Sequence, residues 1–134
     1  MSDVDDVANR TVKAISEGRI ADAVASYSPD VVLDMRPFGI PGFDLFEGRD
    51  QVGAAIRQFI DNFEDYRMEL VSRTDLEGGR SLWVIEQSGR GGESGVEVTM
   101  RYAQIADFED GSFTRFVVYA DEEQARRAAG LDSG

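Results

Sequence analysis

Beyond residue 65 the period of the chain changes from that of a helix to that of a strand, and this change restricts the fold more than any other feature. The stretches YRMELVSRTDL (66–76), SLWVIEQSG (81–89), GVEVTMRYAQIADF (95–108) and SFTRFVVYAD (112–121) alternate apolar and polar side chains, as half-buried strands do. Short connections separate them: EGG (77–79), RGGES (90–94) and the pair Asp110-Gly111, a strong two-residue hairpin signal. Strands joined this closely form an antiparallel meander.

Ahead of the meander the apolar spacing is helical. Val4, Val7, Ala8, Val12 and Ile15 predict a helix to about Glu17, and a shorter one is expected from Ile20 to Tyr27, ended by Pro29. DVVLDM (30–35) reads as a β-branched strand, and RPFGIPGFDLFEG (36–48) as a loop punctuated by two prolines and three glycines. Val52, Ile56, Phe59, Ile60 and Phe63 form one stripe of an amphipathic helix over 49–63, with Asp50 as its N-cap. DEEQARRAAG (121–130) predicts a short terminal helix capped by Asp121 and stopped at Gly130. Helices, one strand, a helix and then a meander imply a single α+β domain over residues 1–134, with a curved, mixed or antiparallel sheet wrapped around three helices from the N-terminal half.

The residue inventory removes whole classes of chemistry. Without cysteine or histidine there is no disulfide, thiolate nucleophile, Cys/His zinc site or Ser-His-Asp triad, and no segment resembles a calcium loop. Acid–base work would fall to Asp, Glu, Tyr, Lys or water. The net charge of −12, from 26 acidic and 14 basic residues, repels phosphate backbones and anionic membrane surfaces, so neither nucleic acid nor membrane is expected as a partner. No apolar run spans a bilayer and MSDVDDVANR lacks the features of a signal peptide, so a cytoplasmic location is expected. Asp3, Asp5 and Asp6 there suit the positive end of a helix dipole.

The glycine-rich EQSGRGGESGVEV (86–98) invites comparison with a phosphate-binding loop. Such a loop needs a strand before it and a helix after it, so that the helix N-terminus meets the anion. Here the following residues, VEVTMRY, alternate as a strand, and the glycine spacing fits neither the dinucleotide nor the Walker pattern. A hairpin turn is predicted.

The order of these pieces, EGRIADAVASYSPDVVLDMRPFG, FEGRDQVGAAIRQF, QSGRGGESGVEV and FEDGSFTRFVVYADEEQARRAAGL, resembles the SnoaL-like, ketosteroid isomerase-like branch of the nuclear transport factor 2-like superfamily over roughly residues 5 to 130. The resemblance implies a cystatin-like cone with an apolar pocket at its mouth and, in catalytic members, cofactor-independent isomerase, cyclase or hydrolase chemistry. It also implies where functional residues should fall. The ketosteroid isomerase aspartate precedes a Pro-x-Gly; Arg36 occupies that slot, Met35 would after a one-residue slip, and Asp34 lies two residues earlier. That enzyme's oxyanion tyrosine and protonated aspartate fall near Thr11 and Ala103. Limonene epoxide hydrolase's arginine corresponds to Arg101, but its aspartates meet Ala103 and Val118. Neither pattern is matched, which leaves the SnoaL-type cyclases as the hardest to exclude.

Hairpin pairing across Asp110-Gly111 predicts Ala103 opposite Val118 and Ile105 opposite Phe116, with Thr99 and Arg101 on the same face. Trp83, Ile85 and Gln87 join that face if the glycine turn pairs the preceding strand. Asp34 is then the candidate base, its pKa raised by burial, and Arg101 the candidate electrostatic helper. Met35, Arg36, Phe59, Phe63, Trp83, Ile85, Gln87, Thr99, Ala103, Phe116 and Val118 are the expected ligand contacts, with Tyr27 beside Phe59 and Phe63 under the helices. The expected ligand is an apolar, cyclic small molecule, and a non-catalytic binding or assembly module is the alternative. Leu82, Val84, Val98, Met100 and Tyr102 are expected on the opposite face, an apolar stripe suited to a homodimer.

Overall fold

The computed structural model describes residues 3–91 and 95–131, with side chains from Asp6 onward. The centre of the RGGES turn and the side chains of Val4, Asp3 and Asp5 therefore lie outside the described residues. Four helices and six strands follow one another as α1 (Asp3–Ser16), α2 (Ile20–Val24), β1 (Tyr27–Asp34), β2 (Leu45–Glu47), α3 (Arg49–Ile60), β3 (Phe63–Asp75), β4 (Arg80–Gly91), β5 (Glu97–Glu109), β6 (Ser112–Tyr119) and α4 (Glu122–Ala128). The strands make one sheet in the order β2-β1-β6-β5-β4-β3. The β1–β6 pair is parallel and every other pair antiparallel. This is the predicted α+β architecture, with α1, α2 and α3 packed against the inner face of the sheet and α4 against the outer.

Several boundaries differ from expectation for identifiable reasons. α2 ends at Val24, and Tyr27, which is 3% exposed, begins β1. Pro29 thus sits within the strand, where pairing with β6 is interrupted between Tyr27 and Val32, a place that tolerates a missing N–H. The loop 36–48 contains a 3₁₀ turn at Arg36–Phe38 and the short edge strand β2. The N-cap of α3 is Gly48, not Asp50. Gly48 has φ +88, donates its N–H to the Val31 carbonyl at 2.7 Å and accepts from the Val52 N–H at 2.9 Å. Phe63 opens β3 instead of ending the helix.

The β4–β5 connection is a turn between antiparallel strands: Gly91 donates to the Val96 carbonyl and Gly95 to that of Gly91. The expectation against a phosphate loop agrees with this geometry. At Asp110-Gly111 both residues have positive φ, +51 and +82, as a primed hairpin turn requires. Beyond that turn the expected register fails. Phe108 pairs with Phe113, but Asp107 pairs with Arg115, leaving Thr114 as an extra residue on β6. Its hydroxyl donates to the Asp107 carbonyl at 3.4 Å. This bulge lets Phe113 and Phe116 both turn inward, where their rings meet Tyr27 and Trp83.

A one-residue slip reverses the face of every side chain beyond it. Gln104, not Ala103, lies opposite Val118, and Ala106, not Ile105, opposite Phe116. Across β4, Trp83 pairs with Gln104, Ile85 with Tyr102 and Gln87 with Met100. Tyr102, Met100 and Val98 therefore share the inner face, whereas Thr99, Arg101, Ala103 and Ile105 point outward. On that outer face α4 covers Leu82, Ala103 and Ile105 with Ala125, held by an Asp121 cap that accepts from the Gln124 N–H at 2.9 Å. Of the apolar stripe from which a homodimer was expected, Tyr102 and Met100 thus turn to the interior, Leu82 lies beneath the chain's own last helix, and Val98 stays 37% exposed.

Candidate functional site

The inner face of the sheet and the three helices above it enclose a cavity of about 80 Å³. α1 contributes Thr11, Val12 and Ile15, and α3 contributes Val52, Ala55 and Phe59. The floor is Tyr27 and Leu33 of β1, Met35 just beyond its end, Trp83 and Ile85 of β4, Tyr102 and Gln104 of β5, and Phe116 and Val118 of β6. Phe38 of the 3₁₀ turn stands over Tyr102 with ring centroids 5.4 Å apart. Tyr66 and Met68 complete the wall from β3. Alternation places these residues together: each strand sends every second side chain inward, and the β6 bulge sets which ones.

The polar groups of the lining are all neutral. Burial pushes the Tyr27 and Tyr66 phenols well above their ordinary pKa, and burial together with the neighbouring Tyr66 and Tyr27 does the same to Tyr102. They are hydrogen-bond donors at any physiological pH. The Tyr66 hydroxyl donates to Gln87 Oε1 at 2.6 Å, Thr11 Oγ1 lies 2.8 Å from Ser26 Oγ, and Trp83 Nε1 donates to Ser81 Oγ at 2.8 Å. No hydrogen bond joins the Tyr27 hydroxyl, the Tyr102 hydroxyl or the Gln104 amide to another described residue. Yet no sealed side-chain polar atom lacks a partner among the described residues, so these three groups face the open volume of the cavity.

Of the residues expected at a site, Met35, Phe59, Trp83, Ile85, Phe116 and Val118 line the cavity. Phe63 stands behind Phe59 and Tyr66, 5.9 Å from each ring, and Gln87 holds Tyr66 from outside the lining. The remaining five expectations are corrected. Thr99 is exposed on the outer face, and Ala103 is buried beneath α4. Arg101 points outward, 55% exposed, and pairs with Glu86 at 3.2 Å. Arg36 is exposed and grips Asp34 through Nε and Nη2 at 2.9 and 2.8 Å.

Asp34 is the most consequential correction. Its neighbours Leu33 and Met35 face the cavity, so alternation turns Asp34 to the opposite side, where Arg115 also approaches within 3.5 Å. Hydrogen bonds from the Arg36 side chain outweigh burial and hold the carboxyl below the ordinary carboxylate range. A carboxylate stabilised as the anion and aimed away from the cavity is not a general base for a ligand inside it. Among the described residues no carboxylate, lysine or arginine lines the cavity, and no cluster of three acidic groups forms a metal site. No helix of the described residues is long and apolar enough to cross a membrane.

Sequence reasoning missed Tyr102, Gln104 and Tyr66 as lining residues. The available signal was SFTRF (112–116): two phenylalanines three apart in an alternating strand share a face only if a residue between them bulges out.

The fold recurs in solved structures. A putative isomerase from Bacillus subtilis superposes with a TM-score of 0.77 at 13% identity, covering 98% of each chain. TerC, co-crystallised with polyporic acid, gives 0.75 at 13% identity, covering 96% of this chain and 98% of its own. A ketosteroid isomerase-like protein from Catenulispora acidiphila, in complex with trimethylamine, gives 0.74 at 11% identity over 94% and 93%. At such identities the likeness is one of fold, the nuclear transport factor 2-like cone. No curated protein matches the chain by sequence. The description of the SnoaL-like domain fits residues 8–116, most of the chain, and the protein belongs to the SnoaL-like domain family.

Proposed function

We propose that this protein binds a compact, apolar, cyclic small molecule inside its cone without a carboxylate-driven reaction. One observation carries the reading: a cavity walled by aromatic and aliphatic side chains, with a few neutral polar groups and no charged residue, as small-molecule sites are built. Two relatives of the same fold have been crystallised with small molecules, polyporic acid and trimethylamine. Proton transfer by Asp34 with help from Arg101 loses its basis, because both side chains lie outside the cone.

Trp83 provides the test, because it is the only tryptophan, is 1% exposed and lines the cavity. Titration with ethylbenzene and acetophenone should change its fluorescence saturably. Ala55→Leu, which fills the cavity from α3, should abolish the change in a protein that keeps its circular dichroism. A folded protein that gives neither a fluorescence change nor calorimetric heat with any single-ring compound would overturn the proposal.

A further inference from the structure

We propose that the cavity selects its ligand by charge and by hydrogen bonding: it takes a neutral ring that carries a carbonyl-type acceptor, and Tyr27, Tyr102 and Gln104 are the lining groups able to donate to that oxygen. The inference rests on the binding reading above and specifies the ligand's polar group.

Three polar side chains lie at least nine-tenths buried, with relative exposures of 3% for Tyr27, 7% for Tyr102 and 9% for Gln104. Buried hydroxyls and amides in folded proteins are almost always paired. These three find no partner among the described residues and open onto the cavity. Elsewhere in this protein comparable groups are paired: Tyr66 with Gln87, Thr11 with Ser26, Trp83 with Ser81. The unpaired set therefore belongs to the cavity lining, and what it offers includes four donor hydrogens. Each phenol supplies one O–H and the amide two N–H groups, and the phenol oxygens and the amide carbonyl can accept from one another or from water. An acceptor oxygen on the ligand matches the donors.

Charge restricts the ligand further. A carboxylate or ammonium entering the cavity would leave water without meeting a counter-charge, which is strongly unfavourable. The phenols cannot supply one, since their raised pKa keeps them protonated. The protein's net charge of −12 adds repulsion against anions. For a cation, the surrounding rings offer some attraction, but no acidic side chain of the lining helps.

Four ligands of matched shape distinguish the terms: acetophenone, ethylbenzene, benzoate and 1-phenylethylammonium, titrated at pH 7.5 with Trp83 fluorescence and calorimetry. Acetophenone should bind about tenfold more tightly than ethylbenzene, the scale of one or two net hydrogen bonds, and both ions more weakly than ethylbenzene. Tyr102→Phe and Gln104→Leu, which conserve volume, should bring acetophenone towards the ethylbenzene affinity and leave ethylbenzene itself unchanged. Equal binding of acetophenone and ethylbenzene overturns this inference alone, as does tightest binding by either ion. Equal losses for both neutral ligands in the variants assign Tyr102 and Gln104 to packing and also overturn it. Binding of none of the four overturns the binding reading beneath it.

Discussion

On one face of β5, Tyr102 and Gln104 lie among Ile85, Trp83 and Val118, and no charge is near. On the other face of the same strand, Arg101 meets Glu86, and Glu97 lies 4.0 Å from Arg67. The division continues across the sheet, where Leu33 and Met35 face in and Asp34 faces out to Arg36 and Arg115. Although the chain has 26 acidic and 14 basic residues, none of the described ones lines the cavity. In a strand the two environments are separated by a single residue, so small errors in register exchange whole chemistries. The comparison also bears on the proposed site. The outer groups are satisfied by each other, whereas the inner ones at Tyr27, Tyr102 and Gln104 await a partner.

Placing a carboxylate on the wrong face breaks the contrast most severely. Val118→Asp puts an unpaired acid where Val118 is 4% exposed, at a cost of about 3–5 kcal/mol at pH 7. Urea denaturation reads this directly. Desolvation raises the folded-state pKa of that acid, so the loss is complete above the folded value and shrinks as pH falls toward the unfolded value of about 3.9. A variant as stable as the parent at pH 7 would mean that water or a cation already reaches the cavity floor.

Asp34→Asn tests the opposite face and has the opposite pH dependence. The Arg36 hydrogen bonds to a side chain only 6% exposed should make the loss about 1.5–3 kcal/mol at pH 7. Because the folded pKa is lowered, this stability is present above the unfolded value of about 3.9 and disappears as pH falls through the folded one. The denaturation midpoints of parent and variant should therefore converge below pH 4. Binding of acetophenone at pH 7.5 should not change, and a loss of binding with stability retained would return Asp34 to the site.

Much of this arrangement was legible in the amino-acid order. Period-two alternation located β3 to β6, Asp110-Gly111 located the last hairpin, and the helical stripe located α3. Trp83, Ile85, Phe116 and Val118 were placed on the cavity side by the same alternation, Phe59 by the helical stripe and Met35 by the superfamily's aspartate slot. What failed was one count. Extending the hairpin without the Thr114 bulge put Arg101 and Ala103 inside and left Tyr102 and Gln104 out. Bulges leave little composition signal, because any residue can be the extra one; only the spacing of Phe113 and Phe116 revealed it. Asp34 failed for a different reason. The superfamily's aspartate slot led to it, although alternation with Leu33 and Met35 already assigned it to the other face.

The register itself is sharpened by Gly111→Ala. At φ +82 an L side chain is strained, so the hairpin should lose about 1 kcal/mol, seen as a lower denaturation midpoint. The added methyl meets nothing within 4 Å, so the effect isolates backbone conformation from packing. No loss would mean that the turn relaxes to another type, and the pairing beyond it would need revision.

The smallest expected effect is the most discriminating. Arg101 and Glu86 are both open to solvent, 55% and 39% exposed, and such pairs contribute little because water and salt screen them. Arg101→Ala should change stability by less than about 0.5 kcal/mol and leave acetophenone affinity unchanged. Tyr102→Phe, one position along, should leave stability nearly intact and weaken that ligand severalfold. Two adjacent residues with opposite consequences are what a strand dividing two environments predicts. If Arg101→Ala weakened binding as much as Tyr102→Phe, the ligand would lie on the outer face, and the cavity would be only an imperfectly filled core.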